Sequence, residues 1–205
     1  MRILIVFLVL LYSNLSLASA KTDETAELRT YVEKLIQQGY DLVNDQKLTK
    51  EQQKQKSSEL IKTHMHLDWM AQYTLGRHKR QLSKEQLNQF IKVYSNFVVK
   101  AYTDLTMNYK GEKAVLTNVK QIDDDLFIVN TEFIRPGAQS PIKVDYLIHE
   151  VNSKEDRFLV GDIITEGVSI LNSQQAEFDN TISTYGIEKL IADLKKKAAT
   201  GTPIK

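Results

Sequence analysis

Apolar residues in the first half of the chain recur with the spacing of helices. Between Leu28 and Val43 they fall three or four positions apart, and the same spacing returns after residue 83. That period places apolar side chains on one face of an α-helix. Capping boxes, in which two side chains satisfy each other's backbone N–H groups, stand at 49–52 (TKEQ) and 83–86 (SKEQ). The pattern predicts helices over these segments, the last one ending before Gly111, and a short helix capped by Asp68 that stops near Gly76.

Further along the chain the apolar period changes from helical spacing to strict alternation. Ile142, Val144, Tyr146 and Ile148 alternate with polar residues, which is typical of a strand with one buried face. Turn-forming sequences lie at 123–125, 135–141 and 152–156. The pattern therefore predicts a four-stranded antiparallel sheet with strands over 114–122, 126–135, 142–152 and 157–164.

The chain becomes helical again after the strands. Glu166 to Ser183 is predicted to form one or two helices, Gly186 breaks the chain, and an amphipathic helix follows from Ile187. Helices, then a curved antiparallel sheet, then helices indicate the α+β class. The apolar face of the sheet needs a cover, and the long helix over 83–108 is the natural one. We expect an apolar pocket between the sheet and the helices.

The first twenty residues have the features of a secretory signal peptide. Arg2 is followed by an apolar run from Ile3 to Tyr12 and by the small residues Ala18-Ser19-Ala20. Cleavage after Ala20 would leave residues 21–198 as a single domain and 199–205 as a disordered tail. The mature chain is then expected to be exported and soluble.

Composition narrows the range of partners. The 205 residues are 42% hydrophobic, enough for one domain with a sizeable core, and include no cysteine, so no disulfide supports the fold. Without Arg2 the chain has 26 basic and 26 acidic residues. A formal net charge of zero argues against nucleic acid as a partner.

Ser169 is the candidate for a hydrolase nucleophile, because Gly167-Val168-Ser169 lies where a strand gives way to a helix. A nucleophile elbow requires G-x-S-x-G on a parallel sheet, whereas here Leu171 replaces the second glycine and the strands are antiparallel. A triad with His149 and Asp162 can be written, but the pattern does not favour it. The structural alternative is that Glu166 or Ser169 caps the following helix.

His64 and His66 are the candidate metal ligands. On a helix, positions i and i+2 point about 200° apart, so the two rings could not share an ion, and no cysteine assists. We expect them to be surface histidines. No glycine-rich phosphate loop is present, which excludes the usual nucleotide sites. The sequence indicates neither an enzyme nor a cofactor.

Four segments resemble the MlaC family, also called the toluene-tolerance auxiliary proteins. They are LDWMAQYTLGRH (67–78), LSKEQLNQFIKVYSNFVVKAYTDLTMNYKGE (82–112), VDYLIHEVNSKEDRFLVGDIITEGVSIL (144–171) and YGIEKLIADL (185–194). The pattern D-x-x-x-E-G-V-S within the third segment is the most specific. Members of this family are periplasmic phospholipid carriers that serve an ABC transporter in Gram-negative bacteria.

The resemblance implies a fold similar to nuclear transport factor 2, with acyl chains between sheet and helices and the headgroup exposed. Without it, the aromatic stripe on the long helix would be interpreted as core. It also implies that Ser169 carries no catalysis. The residues expected to contact lipid are Met70, Tyr73, Phe90, Tyr94, Phe97, Val98, Tyr102, Phe127, Val129, Phe133, Val144, Tyr146, Ile163 and Val168.

The function that the resemblance implies is transport of a glycerophospholipid between outer- and inner-membrane complexes. The expected partners are an inner-membrane ABC transporter complex with its substrate-binding subunit, and an outer-membrane lipoprotein/porin complex. The lipid would be cargo and not a cofactor, and the carrier is expected to be a monomer. The alternative is an exported adaptor that bridges membrane complexes without a lipid ligand.

Overall fold

The computed structural model describes residues 15–151 and 157–200, and its backbone follows the expected order of helices, strands and helices. The N-terminal elements are α1 (Leu15–Asn44), α2 (Lys50–His64), α3 (Leu67–Thr74), a 3₁₀ helix (Gly76–Gln81) and α4 (Lys84–Met107). Within the described ranges no helix has the length and apolar character needed to cross a membrane. The predicted leader's apolar run, Ile3 to Tyr12, and residues 201–205 lie outside the described residues.

The sheet has five antiparallel strands, so the predicted number of four was wrong. Its order follows the sequence: β1 (Lys113–Asp123), β2 (Leu126–Ile134), β3 (Ile142–Glu150), β4 (Phe158–Thr165) and β5 (Val168–Ser169). The first four strands confirm those predicted from the alternation of apolar and polar residues. The fifth pairs with Ile164 and Thr165 of β4. A strand of two residues is too short to show a period of two, which is why the sequence pattern did not predict it.

Two C-terminal helices complete the fold, α5 (Ile170–Tyr185) and α6 (Ile187–Thr200). Gly186 separates them with φ 83°, which confirms the predicted break. The helix predicted from Glu166 begins only at Ile170, because Glu166 and Gly167 have φ values of 50° and 80° and turn the chain back into β5. Helix α6 extends two residues into the predicted tail.

The helix starts confirm both capping boxes, at Thr49 with Gln52 and at Ser83 with Gln86. The predicted cap of α3 was wrong. Its N-cap is His66, whose backbone N–H donates to Val160 O at 2.9 Å, so the chain is still bonded to the sheet edge at that point. Asp68 lies in the first turn of α3, where a carboxylate faces the positive end of the helix.

One hydrophobic cluster joins the helices to the inner face of the sheet, the face that carries Phe127, Val129 and Ile148. Helix α4 supplies its centre with a face that includes Phe90 and Tyr94, both completely buried. The elements whose backbones approach α4 most closely are α2, α3 and α6. The space between α4 and the strands is therefore bridged by side chains.

A buried carboxylate fixes the corner between β4 and α5. Asp162 is only 6% exposed and accepts hydrogen bonds from the backbone N–H groups of Ile163 (2.8 Å) and Leu171 (3.1 Å). Ser169 Oγ donates to the same carboxylate at 2.5 Å and accepts from the Asn172 N–H at 3.0 Å. Ser169 is the N-cap of α5, so the expectation that this residue or Glu166 caps the helix is confirmed for Ser169.

A glycine lets α3 pack over the edge of the sheet. The ring of His149 on β3 lies so close to Gly161 on β4 that a Cβ there would stand 2.4 Å from His149 Cδ2. Trp69 and His66 of the α3 region close over that ring, with centroid separations of 4.3 and 5.5 Å. Burial lowers the pKa of both histidines, and the nearby His66 lowers that of His149 further, while Asp68 and Asp125 act in the opposite direction.

We predict that Ser169→Ala lowers the free energy of unfolding by about 0.5–2 kcal/mol, the usual range for loss of an N-cap. The substitution removes the cap of α5 and one of the hydrogen bonds to Asp162. Urea denaturation monitored by circular dichroism measures the change. Ser173→Ala is the matched control, because the Ser173 hydroxyl donates to Ser169 O from an exposed position on the same helix. Equal stability of the two variants would contradict the role assigned to Ser169.

The histidine packing predicts that stability falls on acidification. Both folded-state pKa values lie below the ordinary value of 6.5, so the unfolded chain binds protons more readily. The free energy of unfolding should therefore decrease as the pH falls below about 6.5. His149→Gln should flatten the decrease between pH 7 and pH 5.5 in denaturation curves. An unchanged slope in this variant would show that His149 does not contribute to the acid sensitivity.

Candidate functional site

Half of the residues predicted to contact lipid come together in the interior. They are each less than 5% exposed and belong to one cluster formed by α3, α4 and β2. These residues are Met70, Phe90, Tyr94, Phe97, Val98, Phe127 and Val129. The helical and strand periods identified them correctly as inward-facing positions.

A second group lies at the edge of this cluster, where burial decreases along the strands. Along the inner face of β2 the exposure is 0% at Phe127 and Val129 and 2% at Thr131, and Phe133 is half-buried. On β3, Val144 is also half-buried opposite Thr131. Tyr102, Tyr146 and Ile163 are partly buried and pack against the cluster. The region between α4 and the sheet thus has a closed end at Phe127 and an open end beyond Thr131.

Two predicted residues lie at the surface. Val168 is 60% exposed in β5, and Tyr73 is 37% exposed on α3, with its hydroxyl donating to Asn172 Oδ1 at 2.7 Å. Tyr73 stacks on Trp69 beside an open groove of about 330 Å³. The structure does not bring either residue into the interior with the others.

Aromatic side chains from two helices pack together in the fully buried part of the cluster. Tyr94 lies 5.8 Å from Phe90 and 6.2 Å from Phe178 of α5, measured between ring centroids. Its hydroxyl donates to the buried Gln174 Oε1 at 2.7 Å, and burial raises its pKa well above the ordinary value. The sequence analysis missed Gln174 and Phe178. Their spacing from the buried Leu171, three and seven positions, was the available indication of an inward face.

Tyrosines from α1, β3 and the loop after α4 lie toward the open end. Burial raises the pKa of Tyr146 to about 12, and interaction with Thr131 opposes this shift while Tyr40 adds to it. Tyr40 of α1 accepts a hydrogen bond from the Ala114 N–H of β1, and its ring lies 6.2 Å from that of Tyr109. Tyr40 was also missed, because only the folded chain brings α1 to this end of the sheet.

The geometry at Ser169 does not form a triad. Its hydroxyl donates to Asp162 and accepts from the Asn172 N–H. A serine nucleophile instead requires a histidine base within hydrogen-bond reach. His149, the base in the arrangement considered above, packs on Gly161 and Trp69 instead. Ser169 and Asp162 therefore support the chain and are not placed to attack a substrate.

The two neighbouring histidines are half-buried, so the expectation of surface histidines was wrong. The His64 ring nitrogen Nδ1 lies 2.7 Å from the Tyr31 hydroxyl at the end of α2, and His66 turns toward His149 and Trp69. They pack in different directions because α2 ends between them. Among the side chains that the structure describes, no three His, Asp or Glu residues are grouped as a metal site.

Comparison with solved structures shows the same fold in a lipid-binding protein. A phospholipid-binding protein from Ralstonia solanacearum, solved in complex with a phospholipid, superposes with a TM-score of 0.67. The match covers 86% of this chain and 97% of that chain at 20% sequence identity. The α+β fold with helices flanking an open antiparallel sheet is therefore shared with that protein.

Sequence comparisons agree with the structural one. The intermembrane phospholipid transport system binding protein MlaC of Haemophilus influenzae is 25% identical over 137 residues. The alignment spans 66% of this chain and 64% of that protein, just under two thirds of its length. The family model described as "MlaC protein" matches residues 19–196. Since that match covers most of the chain, including α4, the sheet and the β4–α5 corner, the chain belongs to the MlaC family.

Proposed function

We propose that this protein is a soluble periplasmic carrier that binds a glycerophospholipid by its acyl chains and shuttles it between membrane complexes. The observation that carries the proposal is the apolar region between α4 and the inner face of the sheet, closed at Phe127 and open beyond Thr131. A region with one closed and one open end suits a molecule with apolar chains and a polar headgroup. The headgroup would remain at the open end, near Phe133 and Val144.

The packing of α4 supports this use of the region. The backbone groups of α4 are bonded within the helix, so the layer facing the strands consists of side chains. Side chains can change rotamer and make room, whereas broken backbone hydrogen bonds leave polar groups unpaired. Acyl chains could therefore enter between α4 and the sheet without breaking secondary structure.

The energetics explain why such a carrier is needed. Burial of each methylene away from water is favourable by about 0.8 kcal/mol. Exposing two acyl chains of about sixteen carbons to water would therefore cost roughly 25 kcal/mol of free energy. An apolar protein interior replaces the membrane interior, so the net free-energy change between bilayer and carrier can be small. The carrier then needs no nucleotide site, and energy input falls to the membrane complex that it meets.

The family and the leader sequence support the cellular setting. The Haemophilus relative is named as the binding protein of an intermembrane phospholipid transport system, and residues 1–20 of this chain have the features of a signal peptide. We infer that the protein is exported to the periplasm and acts as a monomer. Its partners would be an inner-membrane ABC transporter complex with its substrate-binding subunit and an outer-membrane lipoprotein/porin complex. The lipid is cargo, and no enzymatic step is proposed.

One observation favours the alternative of an adaptor without lipid. The buried part of the cluster contains Tyr94, Phe90 and Phe178 in contact, with the Tyr94 hydroxyl satisfied by Gln174. These side chains behave as ordinary core. The carrier and the adaptor therefore differ in whether the half-buried open end holds lipid. Substitutions at the open end distinguish the two functions.

We predict that Val144→Trp lowers the amount of co-purified phospholipid several-fold and leaves the melting temperature of the delipidated protein nearly unchanged. Val144 is half-buried at the open end, so an indole would occupy the space of an acyl chain. In a filled core the same change would cost about 1–3 kcal/mol. Lipid is measured by mass spectrometry of solvent extracts, and stability by thermal denaturation.

Lys143→Trp is the matched control, since Lys143 is exposed on the opposite face of the same strand. It should leave both lipid content and melting temperature unchanged. A large fall in melting temperature with unchanged lipid content in Val144→Trp would show that the open end is core. That outcome, or an absence of lipid from the wild-type protein, would favour the adaptor.

A further inference from the structure

One tyrosine hydroxyl at the proposed lipid site is buried without a partner. The Tyr102 oxygen is shielded from solvent and has no hydrogen-bond partner in the described part of the chain. Its ring is partly buried and packs against the hydrophobic cluster. A buried hydroxyl that makes no hydrogen bond costs free energy, so this one calls for an explanation.

Other tyrosines near the region are satisfied by protein groups. Tyr94, two turns earlier on α4, donates to Gln174, and Tyr40 accepts from the Ala114 N–H. Tyr146 interacts with Thr131 across the β2–β3 pair. Tyr102 thus differs from its neighbours, although its hydroxyl lies within electrostatic range of both Tyr146 and Asp162.

The position of Tyr102 indicates which part of a lipid would meet it. Tyr146, its electrostatic neighbour, is paired with Val129 and Ile163 on the adjacent strands, between the closed end and the half-buried Val144. The hydroxyl therefore lies at the transition from the fully buried interior to the open end. In a diacyl phospholipid held with its headgroup outward, that level corresponds to the ester groups that join the acyl chains to glycerol.

We propose that the Tyr102 hydroxyl donates a hydrogen bond to an ester carbonyl of the bound lipid, which makes this residue a determinant of selectivity for ester-linked lipids. This inference rests on the proposed function. An ester carbonyl accepts hydrogen bonds and has none to donate, so it complements a lone hydroxyl donor. Acyl methylenes cannot satisfy the hydroxyl, and a dialkyl ether lipid of the same shape lacks the carbonyl.

The chemistry of the site supports a neutral donor. Burial raises the pKa of Tyr102 far above its ordinary value, and the Tyr146 and Asp162 groups raise it further. Tyr102 therefore remains protonated throughout the physiological range. It can donate at every working pH, while the Asp162 carboxylate nearby disfavours a free carboxylate or phosphate at this level.

The test compares two phosphatidylethanolamines that differ only in linkage, one with two ester-linked chains and one with two ether-linked chains of equal length. Each is titrated into delipidated wild-type protein, Tyr102→Phe and the control Tyr185→Phe, whose ring is 70% exposed. Wild type and the control should bind the diester lipid about five- to tenfold more tightly, as expected for one buried hydrogen bond. Tyr102→Phe should bind the two lipids equally, through loss of affinity for the diester lipid alone.

A second readout separates this role from a structural one. Because the hydroxyl has no partner in the lipid-free chain, Tyr102→Phe should leave the melting temperature of the delipidated protein unchanged or raise it. A lower melting temperature would show that the hydroxyl is already bonded within the protein and would overturn the inference. Equal binding of both lipids by wild type would also overturn it. Failure of wild type to bind either lipid would instead refute the proposed function.

Discussion

The apolar inner face of the sheet must be covered, and the way in which it is covered determines the rest of this structure. Its cover, α4, is held by α2, α3 and α6, and its backbone groups are bonded within the helix, so the layer against the strands is made of side chains. That arrangement satisfies the hydrophobic requirement of the sheet without fixing the spacing through backbone bonds. The space can therefore be filled by the protein's own side chains or, as proposed, by acyl chains.

The β4–α5 corner fixes the position of one helix beside this space. Asp162 is buried and receives three hydrogen bonds, one of them from the serine that caps α5. The corner sets the position of α5, which places Gln174 and Phe178 over Tyr94. The turn that leads into this corner also adjoins the open end, because Thr165 pairs with Val144 and the Glu166 N–H donates to Lys143 O at 3.0 Å. Phe133 and Val144 nevertheless remain half-buried there.

The sequence predicted those elements whose residues repeat with a clear period. The α4 stripe and the first four strands followed from spacing alone, and both capping boxes identified helix starts. The local pattern did not predict elements whose position depends on tertiary contacts. Strand β5 is two residues long, and α3 begins only at Leu67 because the backbone N–H of His66 bonds to Val160 O.

The residues of the candidate site show the same difference between local pattern and tertiary contact. Residues with helical or strand periodicity, such as Tyr94 and Val129, were placed correctly in the interior. Tyr73 and Val168, which lie within segments that resemble the family, are at the surface. Phe178 and Tyr40 were missed, since their proximity to α4 and β1 depends on how distant segments pack.

The most direct test of the central claim is to locate acyl chains in a crystal structure of the protein with a phospholipid brominated along its chains. The account predicts anomalous bromine peaks between α4 and the inner face of β2 and β3, with the headgroup beyond Phe133 and Val144. Peaks confined to the outer face of the sheet, or to the groove beside Trp69 and Tyr73, would contradict it.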